Sequence, residues 1–144
     1  MTTLLLDVGV MIALVDSTHV QHDAAHEWFG GKAHGAWATC PLTQNGVLWI
    51  VGHPRYPNSP GSPVAVAQPM TRLCALPGHV FWPDDISLLD GKRVDGRRLL
   101  SPGQVTDSDL LALACAHSGQ LASFDRRLVV DAVRGGAKGL CLIA

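Results

Sequence analysis

No two of the four cysteines (Cys40, Cys74, Cys115 and Cys141) sit at C-x-x-C spacing. The cysteines therefore read as small buried hydrophobes in a reducing compartment, in preference to disulfides or zinc ligands. No apolar run approaches the ~18 residues of a membrane span. Nor is there a basic-then-apolar leader, since Met1-Thr2-Thr3 runs straight into the first apolar stretch; a cytoplasmic chain with no membrane partner is expected. G-x-G-x-x-G, G-x-x-x-x-G-K and G-x-S-x-G are all missing, which removes dinucleotide, P-loop and hydrolase-elbow chemistry. Strong net charge is lacking too: the formal value is -1, so no global positive field recruits nucleic acid. The charge is nonetheless uneven. From Gly91 onward there are eight Lys or Arg against five Asp, and before it three against seven acids, so the C-terminal half can face a phosphate backbone locally.

What is present is one domain's worth of core: 144 residues, 47% hydrophobic. Thr3 to Leu6 is a short continuous apolar run, as in a buried parallel strand. Asp7-Val8-Gly9 turns it into a short helix over Val10 to Val15, and Asp16-Ser17-Thr18 is ready to cap the next segment. A helix over Gln21 to Phe29 should end at Gly30-Gly31, with a strand over Ala36 to Cys40 after it. The next helix runs to Val51, with Thr43 as its N-cap. His53 to Pro63 is proline-rich and irregular. Ser62-Pro63 opens a helix to Ala75, in which Pro69 predicts a kink or a break. His79 to Trp82 is a strand, Ile86 to Leu89 begins a short helix, and Gly91 to Arg98 is left open. A helix from Asp107, a strand over Leu121 to Phe124, a helix over Arg126 to Arg134 and a last strand over Leu140 to Ile143 complete the chain. Strands alternating with helices predict a single α/β domain, a three-layer sandwich on a mainly parallel sheet.

The chemistry lies in the acids. A helix of about 11 residues is ~16 Å long, and five extended residues cover a similar distance. A helix opening at Asp107, a turn at His117-Ser118-Gly119 and a returning strand therefore bring Asp107 and Asp125 to the same end. Asp7 closes the first strand, and in an open parallel sheet the carboxyl ends of the strands share one edge, where ligands bind. Each acid also has an ordinary explanation as a helix cap. Converging carboxylates, however, push one another towards the neutral form unless a hard cation such as Mg²⁺ or Mn²⁺ lies among them. Asp109, on another face of the Asp107 helix, is either an outer-sphere ligand or a first-turn dipole residue. His22 and His26 are spaced i, i+4 with no intervening Glu of the H-E-x-x-H kind, and read as surface residues.

Leu5-Leu6-Asp7-Val8-Gly9-Val10, Cys40-Pro41-Leu42-Thr43-Gln44-Asn45-Gly46, Phe81-Trp82-Pro83-Asp84-Asp85, Val105-Thr106-Asp107 and Ala122-Ser123-Phe124-Asp125-Arg126 together resemble a PIN domain. The likeness is to VapC-type toxins of bacterial toxin–antitoxin pairs, and it covers the whole chain in order. It implies a Mg²⁺-dependent endoribonuclease that cleaves structured RNA, tRNA or ribosomal RNA, leaving 5′-phosphate and 3′-hydroxyl ends. It also implies a homodimer and a small antitoxin lying across the metal site.

Under that resemblance Asp7, Asp107 and Asp125 take the first, third and fourth acidic positions, as metal ligands and catalytic residues. The second, usually Glu, falls on Gln44, which offers a neutral carbonyl but no charge, so a second metal position there should be weak. Gly9 stands where Asn or Ser is common, and Trp49 where Arg is. Arg126, Arg127, Arg97, Arg98, Lys92 and Arg55 are the candidates for holding the RNA backbone. The rival reading is a PIN-like module that binds RNA or an antitoxin but cleaves weakly because Gln44 replaces Glu. A small-ester phosphatase ranks lower, since no D-x-D follows the first strand.

Overall fold

The computed structural model describes every residue from Met1 to Ala144. Five strands form one sheet: β1 (Leu4–Leu6), β2 (Trp37–Thr39), β3 (His79–Phe81), β4 (Gln120–Ser123) and β5 (Leu140–Leu142). Their order is β3-β2-β1-β4-β5 and every pairing is parallel. Six helices connect them: α1 (Val8–Val15), α2 (His22–Trp28), α3 (Pro41–Gly52), α4 (Pro63–Cys74), α5 (Val105–Ala116) and the single turn α6 (Gly136–Gly139). None is long and apolar enough to cross a membrane.

Period-two alternation along the strands divides the core between two faces. Leu4, Leu6, Trp37 and Ala122 pack on one face against Met11, Val47, Val51, Val66 and Met70 of α1, α3 and α4. Leu5, Ala38 and Leu121 point the other way, onto Leu110, Leu111 and Leu113 of α5, onto Val94 between β3 and α5, and onto Leu128 and Val133 between β4 and α6. Helices on both faces of a parallel sheet make the three-layer α/β sandwich. Between α5 and β4 the chain turns at Ser118, the one non-glycine residue with positive φ (56°). Gly119 is required for a different reason: a Cβ there would lie 2.5 Å from the Thr3 carbonyl oxygen.

Several local expectations are corrected. The chain does not stop at Gly30-Gly31 but winds on as a π-turn through Ala33. The N-cap of α3 is Cys40, not Thr43; Thr43 lies inside the first turn, where its hydroxyl accepts from the Cys40 N–H at 3.0 Å. Helix α4 is not broken at Pro69. The carbonyl that loses its bond there belongs to Ala65, which is exposed, so water can take its place. Ile86 to Leu89 does not become helical: Ser87 accepts from the Leu89 N–H through its own hydroxyl at 3.0 Å, a local turn that competes with a helix. Arg126 to Arg134 is a set of turns as well. Its backbone pairs with a distant segment through the Val94–Val133 bridge and the Asp95 N–H bond to the Ala132 carbonyl.

Candidate active site

Asp7, Ser123 and Asp125 are brought side by side by the β1–β4 register. Leu6 pairs with Ala122, and the Asp7 N–H donates to the Ala122 carbonyl at 3.0 Å. Asp7 then leaves the strand as the N-cap of α1, one carboxylate oxygen accepting from the Val8 N–H at 2.8 Å. Its other oxygen accepts from the Ser123 hydroxyl at 2.7 Å. That same Ser123 oxygen accepts from the Asp125 N–H at 3.0 Å, and an Asp125 carboxylate oxygen accepts from the Arg127 N–H at 2.8 Å. Ser123 is thus the pin between the first and last acids.

Asp107 arrives from the other side. A 3₁₀ turn at Pro102–Gln104, boxed by Ser101 and Gln104, starts α5, which puts Asp107 in the helix's first turn. Burial raises the Asp107 carboxyl above its ordinary range, and the charges of Asp7 and Asp125 raise it further. Asp7 is raised by burial and by Asp125, against the pull of its bonds from Ser123 and Val8. The three acids therefore lie within electrostatic reach of one another. They do not close into a formed cage: no three His, Cys, Asp or Glu side chains converge on one point at metal-ligand spacing. Asp7, Ser123, Phe124 and Asp125, with Gly9, His19 and Gln21, line an open cleft of about 310 Å³, and Asp107 is not among its lining residues.

The other candidates divide. Asp109 is pushed up to about 6, by burial and then by Asp84; its acidic neighbour is Asp84, not the three-acid group. The Gln44 side chain is turned to β2, its amide donating to the Thr39 hydroxyl at 3.0 Å. It also lines a cavity of about 420 Å³ between α3 and α4, with Leu48, Met70 and Cys74. Arg97 and Arg98 both pair with Asp95, at 3.0 and 3.5 Å. Arg126 and Arg127 are exposed and follow Asp125 directly, while Lys92 and Arg55 are exposed on loops. His22 and His26 cap the end of α1, their ring nitrogens bonded to the Ala13 and Leu14 carbonyls at 2.7 and 2.8 Å. Sequence reasoning misses Ser123 and His19. Ser123 has one available signal: it is a hydroxyl at the end of the strand that leads, two residues on, to a site acid.

A parallel α/β sandwich whose strand ends gather acids is a PIN-like architecture. Comparison with characterised proteins takes this further. The chain is 44% identical to "Ribonuclease VapC44" of Mycobacterium tuberculosis over 137 residues, 93% of this chain and 94% of that protein. It is 39% identical to "Ribonuclease VapC39" of the same organism over 134 residues, 92% and 96% of the two chains, and 36% identical to "Ribonuclease VapC38" over 121 residues, 84% of each. No family model matches the chain. The chain belongs to the VapC family of PIN-domain proteins.

Proposed function

We propose that the chain is a divalent-metal-dependent endoribonuclease toxin, with Mg²⁺ or Mn²⁺ held by Asp7, Asp107 and Asp125. The observation that carries this reading is the mutual charge of those acids: Asp7 and Asp107 are both raised, in part by neighbouring carboxylates. An all-oxygen acidic donor set suits a hard cation and no soft one. When bound, the metal screens the phosphate's charge and makes a water more acidic. The protein's own part is placement. Ser123 fixes the Asp7 rotamer and, through the Asp125 N–H, the start of the loop that carries Asp125. Arg126 and Arg127 stand beside Asp125 to meet the backbone of the RNA.

The ribonuclease names of the relatives support RNA as substrate, and we extend this to tRNA or ribosomal RNA cut to 5′-phosphate and 3′-hydroxyl ends in the cytoplasm. A VapB-like antitoxin and a homodimer complete the proposal. They are supported by large apolar side chains left in solvent on α3 and α4, Trp49 at 71% and Val64 at 79% exposed. The test is cleavage of purified RNA by the wild type with Mg²⁺ and with chelator. Metal-dependent cleavage that Asp107→Asn abolishes is expected; activity that survives the chelator contradicts the reading.

One observation favours the rival of a weakly cleaving binding module: Gln44 brings no carboxylate and its amide is committed to Thr39. Gln44→Glu separates the two. A nuclease that works through three acids keeps its activity within a few-fold, whereas a module disabled by Gln44 gains cleavage that the wild type lacks.

A further inference from the structure

The acidic cleft does not end at Gly9 and His19. Those two residues also border a second cleft of about 340 Å³, which continues past Thr18 to Tyr56 and Pro57 of the proline-rich loop. The path is open at their junction, because Gly9 is exposed and has no heavy atom within 4 Å of where a Cβ would stand. The far wall is fixed, since Tyr56 and Asn58 are bonded to the buried Asp16. His19 is fixed as well. Its Nδ1 accepts from the Gln21 N–H at 3.0 Å, so the neutral ring carries its hydrogen on Nε2. Nε2 of that neutral ring is thereby a donor, and it makes no bond within the protein.

We propose that His19 is an RNA-binding residue of this chain: its Nε2–H donates to a phosphate oxygen of the strand as it passes from the acid cluster towards Tyr56 and Pro57. Gly9 then has a function in place of the polar side chain common there: it leaves room for the backbone to turn between the two clefts. The proposal rests on RNA being the substrate, and its test is built to fail separately.

The experiment compares wild type, His19→Ala and His19→Asn. Asn is short enough to keep the turn by accepting from the Gln21 N–H, but it cannot reach where Nε2 does. Each protein is assayed for binding of a single-stranded RNA oligonucleotide with Ca²⁺ in place of Mg²⁺, for Mg²⁺-dependent cleavage, and for thermal unfolding. Both variants are expected to bind about tenfold more weakly, the size of one hydrogen bond to a charged group, with His19→Asn melting like the wild type. Wild-type affinity in His19→Asn overturns the proposal, because the histidine then serves only the turn. Metal-dependent cleavage with no binding loss in either variant overturns it while leaving the nuclease reading intact. If the wild type binds but does not cleave, the nuclease reading fails alone and the binding comparison still decides the role of His19.

Discussion

Two groups of acids in this molecule are treated in opposite ways. Asp16 is 6% exposed, and burial alone would push its carboxyl up. Yet the Thr18 N–H and hydroxyl, the Asn58 amide and the Tyr56 phenol all donate to it, the first three at 3.0, 2.8 and 2.7 Å, and together they hold it well below the usual carboxylate range. The Tyr56 phenol is pushed up to about 12 in return, by burial and then by the bond and charge of Asp16. Asp107 is less buried but lies above its ordinary range, because its burial is joined by the charges of Asp7 and Asp125 and no hydrogen bond pulls it back. The difference teaches that burial does not mark a working acid. Under the proposed function, what marks it is uncompensated burial beside the other acids of the group, which Asp109, whose acidic neighbour is Asp84, does not share. Asp16 is finished within the protein; under the proposed function Asp107 is balanced by a bound cation.

The comparison can be broken most severely at Asp107. Asp107→Asn should lower Mg²⁺-dependent RNA cleavage by at least about a hundredfold, since outer-shell partners of a metal alone are worth 10–100-fold, while raising thermal stability through relief of repulsion. Loss of both activity and stability would contradict it. Asp16→Ala should do the reverse, costing about 2–3 kcal/mol of unfolding free energy because several donors are left unpaired, as read in a urea titration. The sign with pH follows from the lowered folded value. The Asp16 contribution is present above the unfolded value of about 3.9 and is lost as pH falls through the folded one; the difference between wild type and Asp16→Ala should therefore shrink only in strong acid.

Ser123→Ala tests a residue that belongs to the working group but is not one of its acids. It removes the pin between Asp7 and the Asp125 loop, and cleavage should fall about tenfold with the melting temperature little changed. The smallest effect is expected at Asp109, which is raised to about 6 by burial and then by Asp84. A raised acid binds its proton more tightly when folded, so stability is lost as pH rises from about 4 towards 6. Asp109→Asn should accordingly melt above the wild type at pH 8 and level with it at pH 4.

Much of this architecture is legible from residue order. Apolar runs at Leu4–Leu6 and Leu121–Phe124, each followed by an acid, specify buried parallel strands, and a parallel sheet puts their ends on one edge. The β1–β4 register, which joins Asp7 to Ser123, cannot be read, because register is set by packing across the sheet. Asp16 misleads for a similar reason. Its neighbour Thr18 does bond it locally, but its other partners, Tyr56 and Asn58, lie some 40 residues on. The helix expected over Arg126 to Arg134 fails where the Arg93–Asp95 segment offers its backbone bonds elsewhere. Gln44 shows the limit at the site. Its position in the first turn of α3 is clear, but its orientation towards Thr39 depends on a hydroxyl five residues back on β2.

The central claim is met most directly by calorimetric titration of Mn²⁺ into the wild type and into Asp107→Asn, at a pH where carboxylates are charged. One ion bound per wild-type chain, with binding lost or weakened at least about tenfold in a fully folded variant, is the result expected. Equal binding by the two proteins, or none by the wild type, would show that these acids do not share a cation.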